Sequence, residues 1–473
     1  MMKASFPTNH NFYGEKAIKD NVLTDFFKKS TKSKAKKIFN NTFELTTKDE
    51  SLKQLNIFRF KPAKDKLKED EQLILKLYKK EDNQTGEVDY FVQTGLFAGV
   101  VYHKDCEFNI TCAYGEPFLH RMLNYINDIY VDTKEVDAEQ NKKDNSFQHI
   151  LAHLFVHALE RSATLGLPQF YQQKTQRSHK VRGSVDINAY LRHDIPFQGK
   201  LTTKYREQSY VQEIIDVLYL ACEKLKKVFG VKYLQPILNL YQLLKSQYSG
   251  QFVNQSVIDR AKNHTALYNP MFASFKHTLE YAEIILNDWD LQNKEKSDKQ
   301  TYGYLFDISQ LFEVYLEKLL SQHLPAWSVS GQEQLSLYPN RFYKRNMYPD
   351  LVLKHLESEK VIVLDAKFKK MSLQYLDLDR SDFYQIHTYM QYYGSSLLFG
   401  GLIYPLSGDH ILEKAYSESL FDNAHNNQRF IVDGIELHQP DLENMTIKQI
   451  IDRENLFIKR LQDLINESLL KAS

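Results

Sequence analysis

Asp365-Ala366-Lys367 closes an apolar run, Val361-Ile362-Val363-Leu364, and fifteen residues before Asp365 the pair Pro349-Asp350 opens another, Leu351-Val352-Leu353. Two carboxylates and a lysine at strand ends are what a metal-dependent phosphodiesterase needs: hard oxygens for a cation such as Mg²⁺, with a compact positive charge beside them. A hairpin turning near Glu357-Ser358 pairs residues whose numbers sum to about 715, because antiparallel partners keep a constant sum. Asp350 is then expected to face Asp365. Strand alternation puts Asp365 and Lys367 on one face and Ala366 on the other. A cation held there would bind a scissile phosphate, acidify a bound water and stabilise the leaving oxygen, while Lys367 would position that water or offset charge on the phosphorane. The same short pattern also fits a hairpin with a solvated Asp and Lys.

Neighbouring elements have to position these groups. Tyr304 to Glu317 carries helical apolar spacing through Leu305, Ile308, Leu311, Phe312, Tyr315 and Leu316. Glu313 adjoins that stripe, where an unpaired carboxylate is costly, so a metal or a basic partner is expected, a surface salt bridge being the plainer alternative. Downstream, Ser381-Asp382 is an expected N-cap for a helix from Phe383 to Tyr393, with Gly394 as its stop. Gln385 and Tyr389 are four apart and share a face of that helix, for packing and amide capping or for the site.

In this order, Glu313, Pro349-Asp350, Asp365-Ala366-Lys367 and Gln385-x-x-x-Tyr389 resemble the PD-(D/E)xK nuclease superfamily in its RecB-like form with a trailing Q-x-x-x-Y. The resemblance implies a restriction-endonuclease-like domain, a mixed central sheet flanked by helices. It also implies roles: Glu313, Asp350 and Asp365 hold Mg²⁺ or Mn²⁺, Lys367 assists the attacking water, and Gln385 and Tyr389 line the site. Further upstream, Gln93 to Val101, Phe108-Asn109-Ile110, Phe118 to Leu123, Val181 to Ile187, Tyr205 to Ser209 and Leu311-Phe312-Glu313 resemble the McrC family, nuclease subunits of McrBC-type, modification-dependent restriction systems, with LlaJI-like relatives. One departure stands out. Where that family has I-x-P-K, this chain has Ile110-Thr111-Cys112-Ala113.

The McrC resemblance implies a DNA endonuclease subunit, acting in defence against foreign DNA, that caps and stimulates a separately encoded McrB-like AAA+ GTPase. The sequence has no G-x-x-x-x-G-K-[ST] loop of its own, which agrees with a motor supplied by another polypeptide. Two alternatives stay open: a stand-alone RecB-like repair or processing nuclease, and a non-catalytic regulator of an NTPase ring.

A chain of 473 residues has room for two or three domains. Polar breaks at Asp132 to Ser146 and Asp288 to Gln300 divide it into a strand-rich N-terminal domain (1–132, the expected partner-binding part), a helical middle region (147–290) and the nuclease domain (301–473), an α+β or α/β multidomain protein. Strands are expected over Gln72 to Tyr78 and Tyr90 to Tyr102, and helices over Phe147 to Ala163, Val211 to Phe229, Leu234 to Leu244 and Phe272 to Leu286. A net charge of +1 excludes a globally basic nucleic-acid binder, so DNA contacts must be local patches. The best placed is Arg341, Lys344 and Arg345, interleaved with Phe342 and Tyr343 just before Asp350; Lys369 and Lys370, and a strip of Lys174, Arg177, Lys180 and Arg182, are further candidates. His149, His153 and His157 recur every four residues and read as a polar helix face rather than a zinc site, since the H-E-x-x-H glutamate is missing. The basic run Lys28 to Lys37 reads as a solvated face or arm. Three cysteines without C-x-x-C spacing argue against a disulfide framework or zinc ribbon. With no long apolar segment, the expectation is a cytoplasmic protein that does not enter the membrane.

Overall fold

The computed structural model describes residues 2–10, 43–47, 55–60, 72–81, 88–103, 106–126, 146–291, 301–369, 371–372, 378–407, 412–419, 428–437 and 445–472. The chain forms two compact units, Met1–Lys143 with Lys296–Ser473, and Asp144–Glu295. The N-terminal part of the first unit carries strands β1 (Met2–Pro7), β2 (Phe43–Thr46), β3 (Leu55–Phe58), β4 (Leu73–Glu81), β5 (Val88–Thr94), β6 (Phe97–His103) and β7 (Cys106–Thr111), then helix α1 (Glu116–Ile126). β2, β4 and β5 make an antiparallel sheet; β6 and β7 form a hairpin with β1 parallel to β7. Their inner faces share a core in which Leu45, Ile74, Leu75 and Val92 pack with Phe6, Phe97, Val101, Phe108 and Ile110. The apolar stretch expected as one segment, Tyr90 to Tyr102, is two strands. It breaks at Gly95, whose N–H donates to the Ile74 carbonyl and where a Cβ would stand 1.7 Å from the Leu73 oxygen.

The second unit is built on α2 (Ser146–Ser162), β8 (Gln169–Ser178), β9 (Ser184–Val185), α3 (Ile187–His193), β10 (Leu201–Tyr210), α4 (Gln212–Phe229), α5 (Leu238–Gln247), α6 (Gln255–Lys262) and α7 (Phe275–Leu291). α4 buries Ile214, Ile215, Leu218, Cys222 and Leu225, the apolar stripe its spacing predicts. The helix expected over Leu234 to Leu244 starts instead as a 3₁₀ segment, Val231–Ile237, with Pro236 inside it, and becomes α-helical at Leu238. The middle region expected as helical also holds a three-stranded sheet. β8 and β10 pair antiparallel over ten residues, with β9 on the other side of β10. Polar side chains line most of β8 and it is largely exposed, so it offers no apolar alternation by which a strand is recognised.

The chain then returns to the first unit as β11 (Thr301–Asp307), α8 (Ile308–His323), β12 (Trp327–Gly331), β13 (Leu335–Leu337), β14 (Arg345–Met347), β15 (Leu351–His355), β16 (Val361–Ala366), β17 (Met371–Ser372), α9 (Arg380–Tyr393), β18 (Leu397–Ser407), β19 (Tyr416–Ser419), β20 (Arg429–Leu437) and α10 (Ile447–Ala472). The helix predicted from Tyr304 begins only at Ile308, because Tyr304 to Asp307 extend a strand between β6 and β3. A domain boundary at 301 would therefore cut a sheet. The close β6–β11 approach needs glycine: a Cβ on Gly99, φ +149°, would sit 2.1 Å from the Tyr304 oxygen.

The remaining strands form a mixed sheet in the order β12-β15-β16-β18-β20-β19, with β17 beside β18. β16, β18 and β20 run parallel, and β16 is buried along its whole length, as a central strand covered on both faces must be. On one face Ile386, Tyr389 and Met390 of α9 pack against Val361, Val363 and Leu402. α10 is tied to the sheet by Arg460, whose guanidinium lies 2.9 Å from Asp433 and 3.2 Å from Glu436. A second buried pair joins α1 to α10: Arg121 to Glu454 at 2.6 and 2.7 Å, with Tyr315 of α8 donating to the same carboxylate at 2.6 Å. The overall class is mixed α and β, and no helix among the described residues is long and apolar enough to cross a membrane.

Candidate active site

β15 and β16 pair as Leu351↔Leu364 and Val352↔Val363, the constant sum of 715 that the hairpin spacing predicts. That register brings Asp350 to the end of β16, where its Oδ2 accepts the Ala366 N–H at 3.1 Å. Alternation puts Asp365 on the face of Val361 and Val363, the face covered by α9. Asp365 is fully buried and neither of its oxygens accepts a well-directed hydrogen bond from a described residue. Its compensation is ionic: Lys367 Nζ stands 2.6 Å from Oδ2. A carboxylate this deep is tolerated only with such a partner.

Lys367 is held from three sides. Besides Asp365, its ammonium donates to Gln385 Oε1 at 3.1 Å and lies 3.6 Å from Asp382 Oδ1. Burial alone would push the Lys367 pKa down, but Asp365, Asp350 and Asp382 outweigh it and hold the pKa above the ordinary lysine value. Gln385 Nε2 in turn donates to Tyr389 Oη at 2.8 Å. Burial raises the Tyr389 hydroxyl pKa, partly opposed by that hydrogen bond.

α9 starts three residues earlier than its spacing suggests. Asp379 is the N-cap, accepting from Ser381 and Asp382 N–H, and Asp382 is freed for the site, where its Oδ2 also pairs with Lys369 at 2.8 Å. Sequence reasoning took Asp382 for a cap and missed this role; its spacing, three before Gln385, is the signal that puts both on one helical face. Gln332, at φ +58°, is a second residue the sequence did not announce. Its N–H donates to the Asp350 carbonyl at 3.2 Å and its side-chain amide to Glu313 Oε2 at 3.3 Å, linking α8 to the carboxylate strand. A non-glycine residue in the left-handed region costs about 1 kcal/mol or more and is often kept where function needs it. Asp307, the N-cap of α8, is buried. Burial first, then Glu313, push its pKa up to about 6 against the Gln310 N–H that stabilises its ionised form.

Asp350, Asp365, Lys367, Gln385 and Tyr389 thus form one connected cluster, with Glu313 joined through Gln332. The candidate ligands are all carboxylate oxygens, chemistry that suits Mg²⁺ or Mn²⁺; Oδ2 of the buried Asp365 faces Lys367, while its Oδ1 accepts no hydrogen bond from a described residue. Among the described residues, however, no three His, Cys, Asp or Glu side chains are gathered closely enough to hold a metal ion. The loop after β7, where the McrC-like I-x-P-K is replaced, meets the segment after β16 that carries Lys367: Tyr114 donates to the Lys369 carbonyl at 2.7 Å and packs edge-on to Phe368.

The other expected DNA contacts divide. Arg341, Lys344 and Arg345 are exposed on the β13–β14 hairpin, whereas Arg182 stacks over Tyr205 and pairs with Glu207 in the second unit, and Lys370 lies outside the described residues. The Lys28 to Lys37 run and the side chains of His149 and His153 also lie outside them; His157 pairs with Glu160 at 3.3 Å.

The family described as McrBC 5-methylcytosine restriction system component matches residues 75–405. The chain belongs to this family. The McrBC match spans both compact units and includes every candidate site residue from Glu313 to Tyr389. Among solved structures, a chain in the refined half-complex from the tetradecameric assembly of Thermococcus gammatolerans McrB AAA+ hexamers with bound McrC has a TM-score of 0.51 at 15% identity, over 79% of this chain and 84% of that one. A chain in the cryo-EM structure of the T. gammatolerans McrBC complex has a TM-score of 0.34 at 13% identity, over 68% and 88%. At this identity the first likeness concerns the fold. No curated protein matches the chain.

Proposed function

We propose that this McrBC-family chain is the DNA-cutting subunit of a restriction complex, a PD-(D/E)xK-type endonuclease that hydrolyses phosphodiester bonds with Mg²⁺ or Mn²⁺ when a separate McrB-like AAA+ GTPase engages it. The observation that carries the reading is the ion pair at 2.6 Å between the buried Asp365 at the end of a central strand and the half-buried Lys367 just beyond it, beside Asp350. Asp350 and Asp365 would hold the cation, with Glu313 the third candidate ligand. The cation would supply Lewis-acid stabilisation of the phosphate and a more acidic water.

The protein's own groups do the rest. The Lys367 ammonium, fixed by Asp365, Gln385 and Asp382, offers N–H donors toward charge developing on a phosphate. Gln385 and Tyr389 lock its direction, so little reorganisation is needed at the moment of reaction. Asp382 acts through Lys367 and Lys369 as a positioning residue. The hard, oxygen-only donor set and the adjacent cation favour phosphoryl chemistry over nucleophilic catalysis by a side chain. A motor in trans fits the McrBC family and the missing P-loop signature.

The test incubates the purified chain with Mg²⁺ and 5-methylcytosine-containing or unmodified DNA, with and without the McrB-type GTPase and GTP. Cleavage that needs both the partner and GTP is expected. Full-rate cleavage by the chain alone, indifferent to nucleotide, would overturn the partner-dependent part of the proposal.

A further inference from the structure

The β13–β14 hairpin leaves the site and returns to it. Gln332, three residues before β13, and Asp350, three residues after β14, are hydrogen-bonded N–H to carbonyl at 3.2 Å, so the excursion is anchored beside the carboxylates themselves. Its tip is ordered by the Arg341 N–H donating to the Tyr338 carbonyl at 3.0 Å and the Lys344 N–H to the Arg341 carbonyl at 3.1 Å. Phe342 is 99% exposed at that tip. It is braced rather than loose: its ring meets Tyr343 edge-on at 4.8 Å, and Tyr343 meets Tyr338 at 5.2 Å.

The charge around it is uncompensated. The side chains of Arg341, Lys344 and Arg345 are exposed and make no hydrogen bond or ion pair with a described residue. Three cations on the exposed β8 strand and the loop after it behave differently, Lys174 and Arg182 pairing with Glu207 and Arg177 with Asp194. Among the described residues the Phe342 ring meets that of Tyr343 alone and no anion pairs with the three cations around it. This arrangement matches what nucleic acid offers, a stack of π-faces between phosphates.

We propose that this hairpin grips duplex DNA at the active site, Phe342 entering the base stack as a wedge while Arg341, Lys344 and Arg345 hold the flanking phosphates. At about 3.3 Å per residue the eight residues from Phe342 to Asp350 span at most about 26 Å, roughly the rise of eight base pairs, so a longer duplex seated at Asp350 and Asp365 lies within reach of the tip. Wedging opens and bends the duplex locally, which exposes one strand's phosphate beside the wedge. The inference deepens the nuclease reading and rests on it for the location of the scissile bond, not for the binding itself.

The test uses the full-length chain in EDTA and a duplex carrying 2-aminopurine, whose fluorescence rises on unstacking. Wild type is expected to raise the signal. Phe342→Ala is expected to abolish the rise and to weaken binding roughly 5- to 100-fold, with Phe342→Trp restoring both. Replacing Arg341, Lys344 and Arg345 by Ala is expected to lower the slope of log Kd against log salt by about 2 to 3. Unstacking by Phe342→Ala equal to wild type, or no DNA-dependent signal from wild type, would overturn the proposal. Unstacking without any cleavage under the partner, GTP and Mg²⁺ conditions would instead leave the wedge standing and remove the nuclease reading.

Discussion

Asp382 touches both lysines of the candidate site, Lys367 at 3.6 Å and Lys369 at 2.8 Å, yet bears no ligand-like position of its own. Asp382→Asn is therefore expected to keep the fold, with Tm within a few degrees of wild type, and to lower cleavage by roughly 10- to 100-fold by loosening Lys367; an unchanged rate would assign Asp382 to structure alone. Asp307 gives a pH prediction. Its folded pKa, about 6, lies above the ordinary carboxylate value of 3.8, so the folded state binds its proton more tightly than the unfolded one. The stability this carboxyl contributes is fully present below about pH 4 and is lost as pH rises through about 6. Asp307→Asn, which retains capping capacity, is expected to remove that slope and to stabilise the protein at pH 7.5 by about 1–3 kcal/mol, measured by denaturant melts across pH 4–8. An unchanged slope would contradict it. At this scale the sequence was informative where chemistry is carried by residue type and strand spacing: Asp350, Asp365 and Lys367 could be placed from a hairpin sum alone. It was silent on Gln332, whose role depends on a left-handed φ, and on Asp382, because Asp379 took the capping position.

Elements succeed or fail as readings according to how apolar their periodicity is. β15 and β16 open on runs of buried Val, Leu and Ile, and α4 has a clean apolar stripe, so both are legible. β8 and β10 pair through mostly polar residues, exposed along most of β8, and Tyr304 to Asp307 carries helical spacing while being claimed by a sheet, a tertiary contact that local pattern does not encode. The β6–β11 pairing makes its own prediction. Gly99→Val is expected to destabilise the first unit by several kcal/mol, since its Cβ would meet the Tyr304 oxygen at 2.1 Å with φ at +149°. A melting temperature equal to wild type would show that the two strands can part without cost. Arg460→Ala carries a comparable cost for another reason, about 3–5 kcal/mol, because Asp433 and Glu436 would be left buried without their cation.

For the whole molecule, the first unit joins the two ends of the sequence: β11 sits between β6 and β3, Leu305 lies in the N-terminal core, and Arg121 pairs with Glu454. A fragment of residues 301–473, the extent expected of a nuclease domain, is therefore predicted to lack cooperative melting when expressed alone; a sharp transition would contradict this. The break near 300 was visible as a polar stretch, but the return of the chain into its first sheet is a long-range pairing with no local signature. The central claim, that DNA is cut at the Asp350 and Asp365 carboxylates of an McrBC-family chain, is tested most directly by one comparison. Wild type and Asp365→Ala are assayed for cleavage of methylated DNA with the partner GTPase, GTP and Mg²⁺. Asp365→Ala is expected to cut about a thousand-fold or more slowly, with folding and partner binding retained. Cleavage by Asp365→Ala at the wild-type rate would contradict it.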